Sequence, residues 1–193
     1  MNDEIRVGYA LCGSFCTLSR SLEALERLCG EYANVTPIMS EITYATDTRF
    51  GAAADFRGRI EALCSREIIH TVAQAEPIGP RATLDLLIIA PCTGNTLSKL
   101  AFGITDTAVT MAAKAHLRNA RPLLLAVSTN DGLSGSAPAI GRLMSRRHVY
   151  FVPFYQDSPE EKPTSLAARF ELINEAARAA LAGRQLQPVL TVL

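Results

Sequence analysis

Neither sign of charge prevails in this chain: 19 lysines and arginines face 19 aspartates and glutamates, a formal net charge of zero. That balance removes the global electrostatic case for nucleic acid or an anionic membrane as partner. The local run Arg142, Arg146, Arg147 and His148 reads as the solvated end of a helix. No apolar run approaches the ~20 residues that cross a bilayer. The opening Met1-Asn2-Asp3-Glu4 is acidic and reads as the lead into a strand, not as a signal peptide. The cysteines are few and odd in number, namely Cys12, Cys16, Cys29, Cys64 and Cys92. Free thiols in a reducing cytoplasm are expected rather than disulfides. Cys12 and Cys16 are followed by no second Cys or His pair at ligand spacing. His70, His116 and His148 are scattered, so no metal site is expected. Both usual phosphate signatures are missing: no G-x-G-x-x-G follows the first strand, and there is no G-x-x-x-x-G-K-[ST]. Dinucleotide binding by this chain and hydrolysis at a P-loop therefore lose their support.

What is present is an alternation. A chain of 193 residues suits one sizeable core, so residues 1–193 are expected to form a single domain. Residues 5–11 read as a first strand and 18–32 as a helix with Leu18, Leu22, Leu25 and Leu28 on one face. Residues 35–39 read as a second strand, with Pro37 arguing for an irregular or early place in it. Thr46-Asp47-Thr48 can cap a helix that runs to about Cys64. Residues 67–72 suggest a short strand, and 76–80, with Pro77 and Pro80, a loop. Two almost wholly apolar strands follow, 84–90 and 122–127, separated by helical pattern that breaks at 103–106. A helix at 137–145, a strand at 148–152, a loop at 156–164 and a last helix at 166–182 complete the chain. Such near-continuous apolar strands imply an α/β fold, a doubly wound and mostly parallel sheet with helices on both faces. In such sheets a ligand sits beyond the carboxyl ends of the strands, at the switch point.

The strand ends share one chemistry. They read Cys12-Gly13-Ser14, then Ser40, then Pro91-Cys92-Thr93-Gly94-Asn95-Thr96, then Ser128-Thr129-Asn130. All are small and uncharged. Hydroxyls, backbone N–H groups and helix N-termini bind anions without a lysine, and Gly13 and Gly94 are expected to let the backbone approach a ligand closely. Each Ser or Thr alone reads as a helix cap; four polar strand ends on one edge read as a mononucleotide phosphate site.

Here the sequence resembles a known family. "APCTGNT" after a central strand is similar to the Pro-Ala-Ser-Ala-Asn-Thr motif of the flavin-containing cysteine decarboxylases, whose relatives include the prenyl-flavin synthases. "TPIMS", "TDTRFG", "IIHTVAQAEPIGP", "STNDGL", "YFVPFYQDSPEEKP" and "QLQPVL" resemble, in one register from about residue 5 to 190, the branch of spore flavoproteins formed by the B chains of dipicolinate synthases. The resemblance implies a Rossmann-like flavoprotein with FMN at a subunit interface of a homo-oligomer, in the mother cell of a sporulating bacterium. It implies FMN contacts at Gly13, Ser14, Ser40, Thr93, Gly94, Asn95, Thr96, Ser128 and Thr129. The Ala-Ser-Ala of the decarboxylase motif is Cys92-Thr93-Gly94 here. His70 lies farther from the motif than the decarboxylase histidine does, and reads as structural.

The branch oxidises dihydrodipicolinate to dipicolinate, with an A subunit that carries the NADP-binding fold; both the A subunit and its NADP are implied partners. A dicarboxylate calls for arginine forks, and the loop residues Arg49 and Arg81 are the candidates. No catalytic residue is assigned. Cys92 reads as a small buried hydrophobe, since nothing nearby supplies a base or a cation. Lys99 and Asp106 read as helix-surface or inter-subunit groups, and the Ala-rich stretch 108–115 as a subunit contact. Two other readings stay open: a flavin-dependent decarboxylase or prenyltransferase on the same scaffold, and a non-catalytic assembly subunit with a vestigial flavin site.

Overall fold

The structure is a computed structural model and describes residues 2–192. Five parallel strands form its centre: β1 (Asn2–Leu11), β2 (Tyr32–Met39), β3 (Leu86–Cys92), β4 (Leu123–Thr129) and β5 (Val149–Phe151). Their order is β2-β1-β3-β4-β5. The direction of winding reverses between β1 and β3, which makes their carboxyl ends the switch point. Two short strands, β6 (Phe154–Tyr155) and β7 (Leu166–Ala168), continue the sheet antiparallel. β7 pairs the end of β4 through Ser128↔Ala167 and Thr129↔Leu166.

The apolar runs sit where they must. All seven residues of β3 are buried, as the central strand of a sheet covered on both faces requires. α1 (Leu18–Glu31) buries Leu18, Leu22, Leu25 and Leu28 along one stripe. Each such leucine contributes about 1.5–3 kcal/mol of apolar burial. Right-handed crossovers place α1 on one face and the β3-to-β4 helices on the other. α8 (Ile173–Leu181) packs on α1, whereas α5 (Gly94–Phe102) packs on α6 (Ala108–Leu117) and on α7 (Ala137–Met144).

Several expectations are corrected. Pro37 stands inside β2, opposite Tyr9, and is tolerated because β2 is an edge strand. Ile69 meets that edge by one parallel bridge to Ile38 instead of forming a strand. The helix expected from residue 46 to about 64 starts only at Ala53, as α3 (Ala53–Cys64), and a short helix not expected, α2 (Glu41–Ala45), precedes it. Asp47 does cap α3, but from six residues upstream, its Oδ1 accepting from the Ala53 amide at 2.8 Å. A further short helix, α4 (Val72–Ala75), runs into a 3-10 turn at Glu76–Ile78, with Pro77 in its first turn where no N–H is needed. Leu166 belongs to β7 and not to the last helix, which starts at Ile173. The Ala-rich stretch is core: Ala108, Val109, Ala112 and Ala113 of α6 are fully buried within the chain.

Candidate functional site

The switch point is built by one departure from the sheet. Pro91 cannot donate to the ladder, and the β3–β4 register shifts between Ile89 and Cys92. The Ala90 carbonyl is taken instead by the Ser21 hydroxyl of α1 at 2.5 Å. The chain then turns at Thr93, whose Oγ1 accepts from the Thr96 amide at 3.3 Å and caps α5. The amides of Gly94 and Asn95, in the first turn of α5, have no intrahelical acceptor. Ser40 does for α2 what Thr93 does for α5: its Oγ accepts from the Thr43 amide at 3.4 Å and meets Thr43 Oγ1 at 2.7 Å.

Two clefts open beyond the carboxyl ends. The larger, of about 610 Å³, lies where β1, β2 and β3 end. It is lined by Cys12, Gly13, Ser40, Thr93, Asn95 and Thr96, with Phe15, Ile42 and Thr107 beside them and Glu41, Lys99 and Asp106 as its charged groups. The smaller, of about 250 Å³, is lined by Ser14, Thr17, Gly94, Ser128 and Thr129, with Arg20, Asp157 and Lys162 as its charged groups. Gly13 and Thr93 line both clefts and form the ridge between them. The nine residues expected at one site are thus brought to one edge of the sheet, but divided between two clefts.

The lining groups are largely committed in ways that leave donors free. Glu41 accepts from the Ala108 amide at 3.1 Å, capping α6 across the cleft. Lys99 Nζ stands 2.9 Å from Asp106, which holds that carboxyl below its ordinary range. Both were expected on a helix surface or between subunits; they line the cleft of this chain. Burial pushes the Cys12 thiol up to about 11 and Cys92 well above its usual value, so neither is a thiolate near neutrality. On the ridge, Ser14 Oγ lies 2.8 Å from Ser128 Oγ, and Thr17 Oγ1 lies 2.9 Å from the first and 3.1 Å from the second.

The two glycines differ. A Cβ on Gly94 would stand 2.4 Å from Ser136 Oγ, 2.6 Å from Thr129 Oγ1 and 2.8 Å from Asp131 Oδ1. Those atoms are tied together, Thr129 and Ser136 both donating to Asp131, whose pKa these bonds lower. Gly94 is therefore required by packing within the chain, independently of any ligand. A Cβ on Gly13 would meet only Phe15 at 3.4 Å and Thr43 at 3.6 Å. Nothing in the protein itself asks for glycine there.

The two arginines expected on substrate line neither cleft. Arg81 lies in the connection leading to the amino end of β3, at the opposite edge of the sheet. Arg49 is on the carboxyl side but exposed, over the Phe50 ring at 4.9 Å, and lines neither cleft. His70 lies flat against Tyr44 at 3.8 Å between ring centroids and also lines neither. Arg20 and Lys162 were missed, because no local pattern distinguishes a cation that faces a cleft from one that faces solvent.

The family model described as Flavoprotein matches residues 1–153. The B chain of dipicolinate synthase from Bacillus subtilis (strain 168) is 44% identical over 185 residues, which cover 96% of this chain and 92% of the relative. The crystal structure of the corresponding dipicolinate synthase B chain from Bacillus halodurans C superposes with a TM-score of 0.91 at 44% identity, over 100% of this chain and 99% of that one. Burkholderia xenovorans DmrB in complex with FMN superposes at 0.61 with 19% identity, over 78% of this chain and 89% of the other, a likeness of fold.

Proposed function

This chain belongs to the flavoprotein family, and we propose that it serves as the B chain of a dipicolinate synthase, holding FMN during the oxidation of dihydrodipicolinate to dipicolinate in sporulation. One observation carries the reading: a cleft of about 610 Å³ at the β1/β3 switch point, floored by uncharged hydrogen-bond donors. Its size falls within the ~300–1,000 Å³ of small-molecule sites.

The residues present fit the cofactor. Gly13, Ser40, Thr93, Asn95 and Thr96 would hold it in the larger cleft, with Ser14, Gly94, Ser128 and Thr129 completing the wall shared with the smaller one. Two amides of the α5 N-terminus favour an anion there, and Lys99 is the one cation lining the larger cleft among the described residues. FMN, when bound, supplies an acceptor for the two hydrogens that leave the ring as it becomes aromatic. This chain orients the reacting ring and excludes water. No lining group of the larger cleft is a free base: the Cys12 thiol stays protonated, Glu41 is a helix cap and Asp106 is paired. NADP binding is assigned to the A subunit, since this chain carries no G-x-G-x-x-G after its first strand. Ile42, 65% exposed at the rim, suits cover by a second copy in a homo-oligomer.

Titration of the purified chain with FMN, followed by quenching of flavin fluorescence, tests the reading. Saturable binding is expected, weakened by Asn95→Ala. Failure to bind at high micromolar FMN would sink it.

A further inference from the structure

The smaller cleft has a charge pattern that the larger lacks. Arg20, in the first turn of α1, and Lys162, in the loop 156–164, put two cations on its wall. The single carboxylate of the lining, Asp157, accepts from Ser165 at 2.5 Å. Among the described residues Lys162 has no carboxylate within ion-pair distance. Arg20 reaches Glu171 only at 3.9 Å, with both side chains about half exposed, where a pair contributes little. Arg20 also lies over the Phe170 ring, 5.3 Å from its centroid, a stacking contact that does not use its N–H donors; Lys162 is unpaired among the described residues. A cation in the first turn also opposes the dipole of α1, a local cost that a bound anion offsets.

The rest of the cleft suits a small polar ring. Thr17 Oγ1 has a second acceptor in the Ser14 carbonyl at 3.0 Å, so the hydroxyl triangle of Ser14, Thr17 and Ser128 can turn one O–H toward a ligand. The loop that bears Lys162 is pinned. Its amide donates to Ser158 O at 2.7 Å, Gln156 Nε2 to Pro163 O at 2.6 Å, and Thr164 Oγ1 to Asn130 O at 2.6 Å. The volume of about 250 Å³, less than half that of its neighbour, suits one substituted six-membered ring.

We propose that the smaller cleft binds a small dicarboxylate, Arg20 and Lys162 each meeting one carboxylate and the Thr17 hydroxyl meeting the ring side, while Ser14 and Ser128 on the shared wall stay with the cofactor. The substrate then lies across the Gly13/Thr93 ridge from the flavin. The choice of a dicarboxylate rests on the synthase reading above, and the test reads the two apart.

Isothermal titration calorimetry of the full chain, with and without FMN, uses pyridine-2,6-dicarboxylate, pyridine-2-carboxylate and inorganic phosphate as probes. The dicarboxylate should bind at least about tenfold more tightly than the monocarboxylate or phosphate, since each of those leaves one cation unpaired. Arg20→Gln and Lys162→Gln should each weaken it about tenfold or more, with Arg20→Lys intermediate and FMN affinity unchanged in all three. No dicarboxylate binding by wild type, equal binding by the variants, or no preference for two carboxylates overturns the proposal. Loss of FMN affinity in the same variants also overturns it, because the cations would then serve the cofactor phosphate. Dicarboxylate binding without any FMN binding supports this site and removes the flavin reading alone.

Discussion

Ser14 and Ser128 are 114 residues apart in the chain, yet their Oγ atoms lie 2.8 Å apart, one at the end of β1 and the other at the end of β4. β3 stands between those strands, so the contact spans the ridge on which the motif turn sits. It makes the hydroxyl edge a single surface, and its chemistry can be tested with charge.

Ser14→Ala removes one hydrogen bond, about 0.5–1.5 kcal/mol. Ser14→Asp sets a carboxylate among the Ser128 and Thr17 hydroxyls, which can solvate it, so folding by circular dichroism is retained. An FMN phosphate carries about −1.5 to −2 charges near neutrality, and at low dielectric a like charge beside it costs several kcal/mol. FMN affinity should therefore fall in the order wild type, Ser14→Ala, Ser14→Asp. Equal binding by the Asp variant would take Ser14 out of the site.

Gly94→Ala and Gly13→Ala should separate stability from binding. The first forces the bonded Thr129–Asp131–Ser136 group apart and should cost roughly 1–3 kcal/mol in urea unfolding. Adding Ser136→Ala should restore part of that loss. The second meets only ordinary contacts, so its unfolding midpoint should match wild type while FMN binding weakens. A destabilised Gly13→Ala with normal FMN binding would reverse the assignment.

Acid should destabilise the fold in two separable windows. Burial holds His116 down at about 4, from an ordinary 6.5, its Nε2 2.8 Å from the Pro122 carbonyl. As pH falls from 6.5 toward 4 the unfolded chain takes up a proton that the native one refuses, so stability drops. Asp85 is held near 2, from 3.8, mainly by the hydrogen-bonded Arg6, with Arg121 beside it. Its contribution is present above 3.8 and is lost as pH falls toward 2. His116→Gln should flatten only the upper window of a urea-midpoint profile, and Asp85→Asn only the lower.

Thiol labelling should follow burial. Cys16 is the one exposed cysteine among the described residues, whereas Cys12, Cys64 and Cys92 are buried and Cys29 is half-buried. One fast equivalent is expected with Ellman's reagent, abolished by Cys16→Ser. Rapid reaction of Cys12 or Cys92 in folded protein would show the ridge to be open.

The amino-acid order alone determined whatever rests on local periodicity and local chemistry. The leucine stripe of α1, the unbroken apolar runs of β3 and β4 and the cap of α5 at Thr93 are each set by residues within a few positions of one another. From them follow the parallel sheet, its switch point and the edge on which Gly13, Ser40, Thr93 and Ser128 must lie. Tertiary structure decided what depends on neighbours distant in the chain. Leu166 continues the helical spacing of Phe170 and Ile173, but Thr129 offers it a strand partner, and pairing across the chain overrides a three-residue signal. Gly94 and Gly13 look alike in sequence; Ser136, Thr129 and Asp131 make the first a packing requirement, whereas no neighbour constrains the second. Arg20 and Lys162, ordinary surface cations on their own elements, come to line one cleft only when the loop 156–164 is tied to the end of β4. A side chain's charge is written in the sequence, but what it faces is fixed by the packing of segments that meet only in the folded chain.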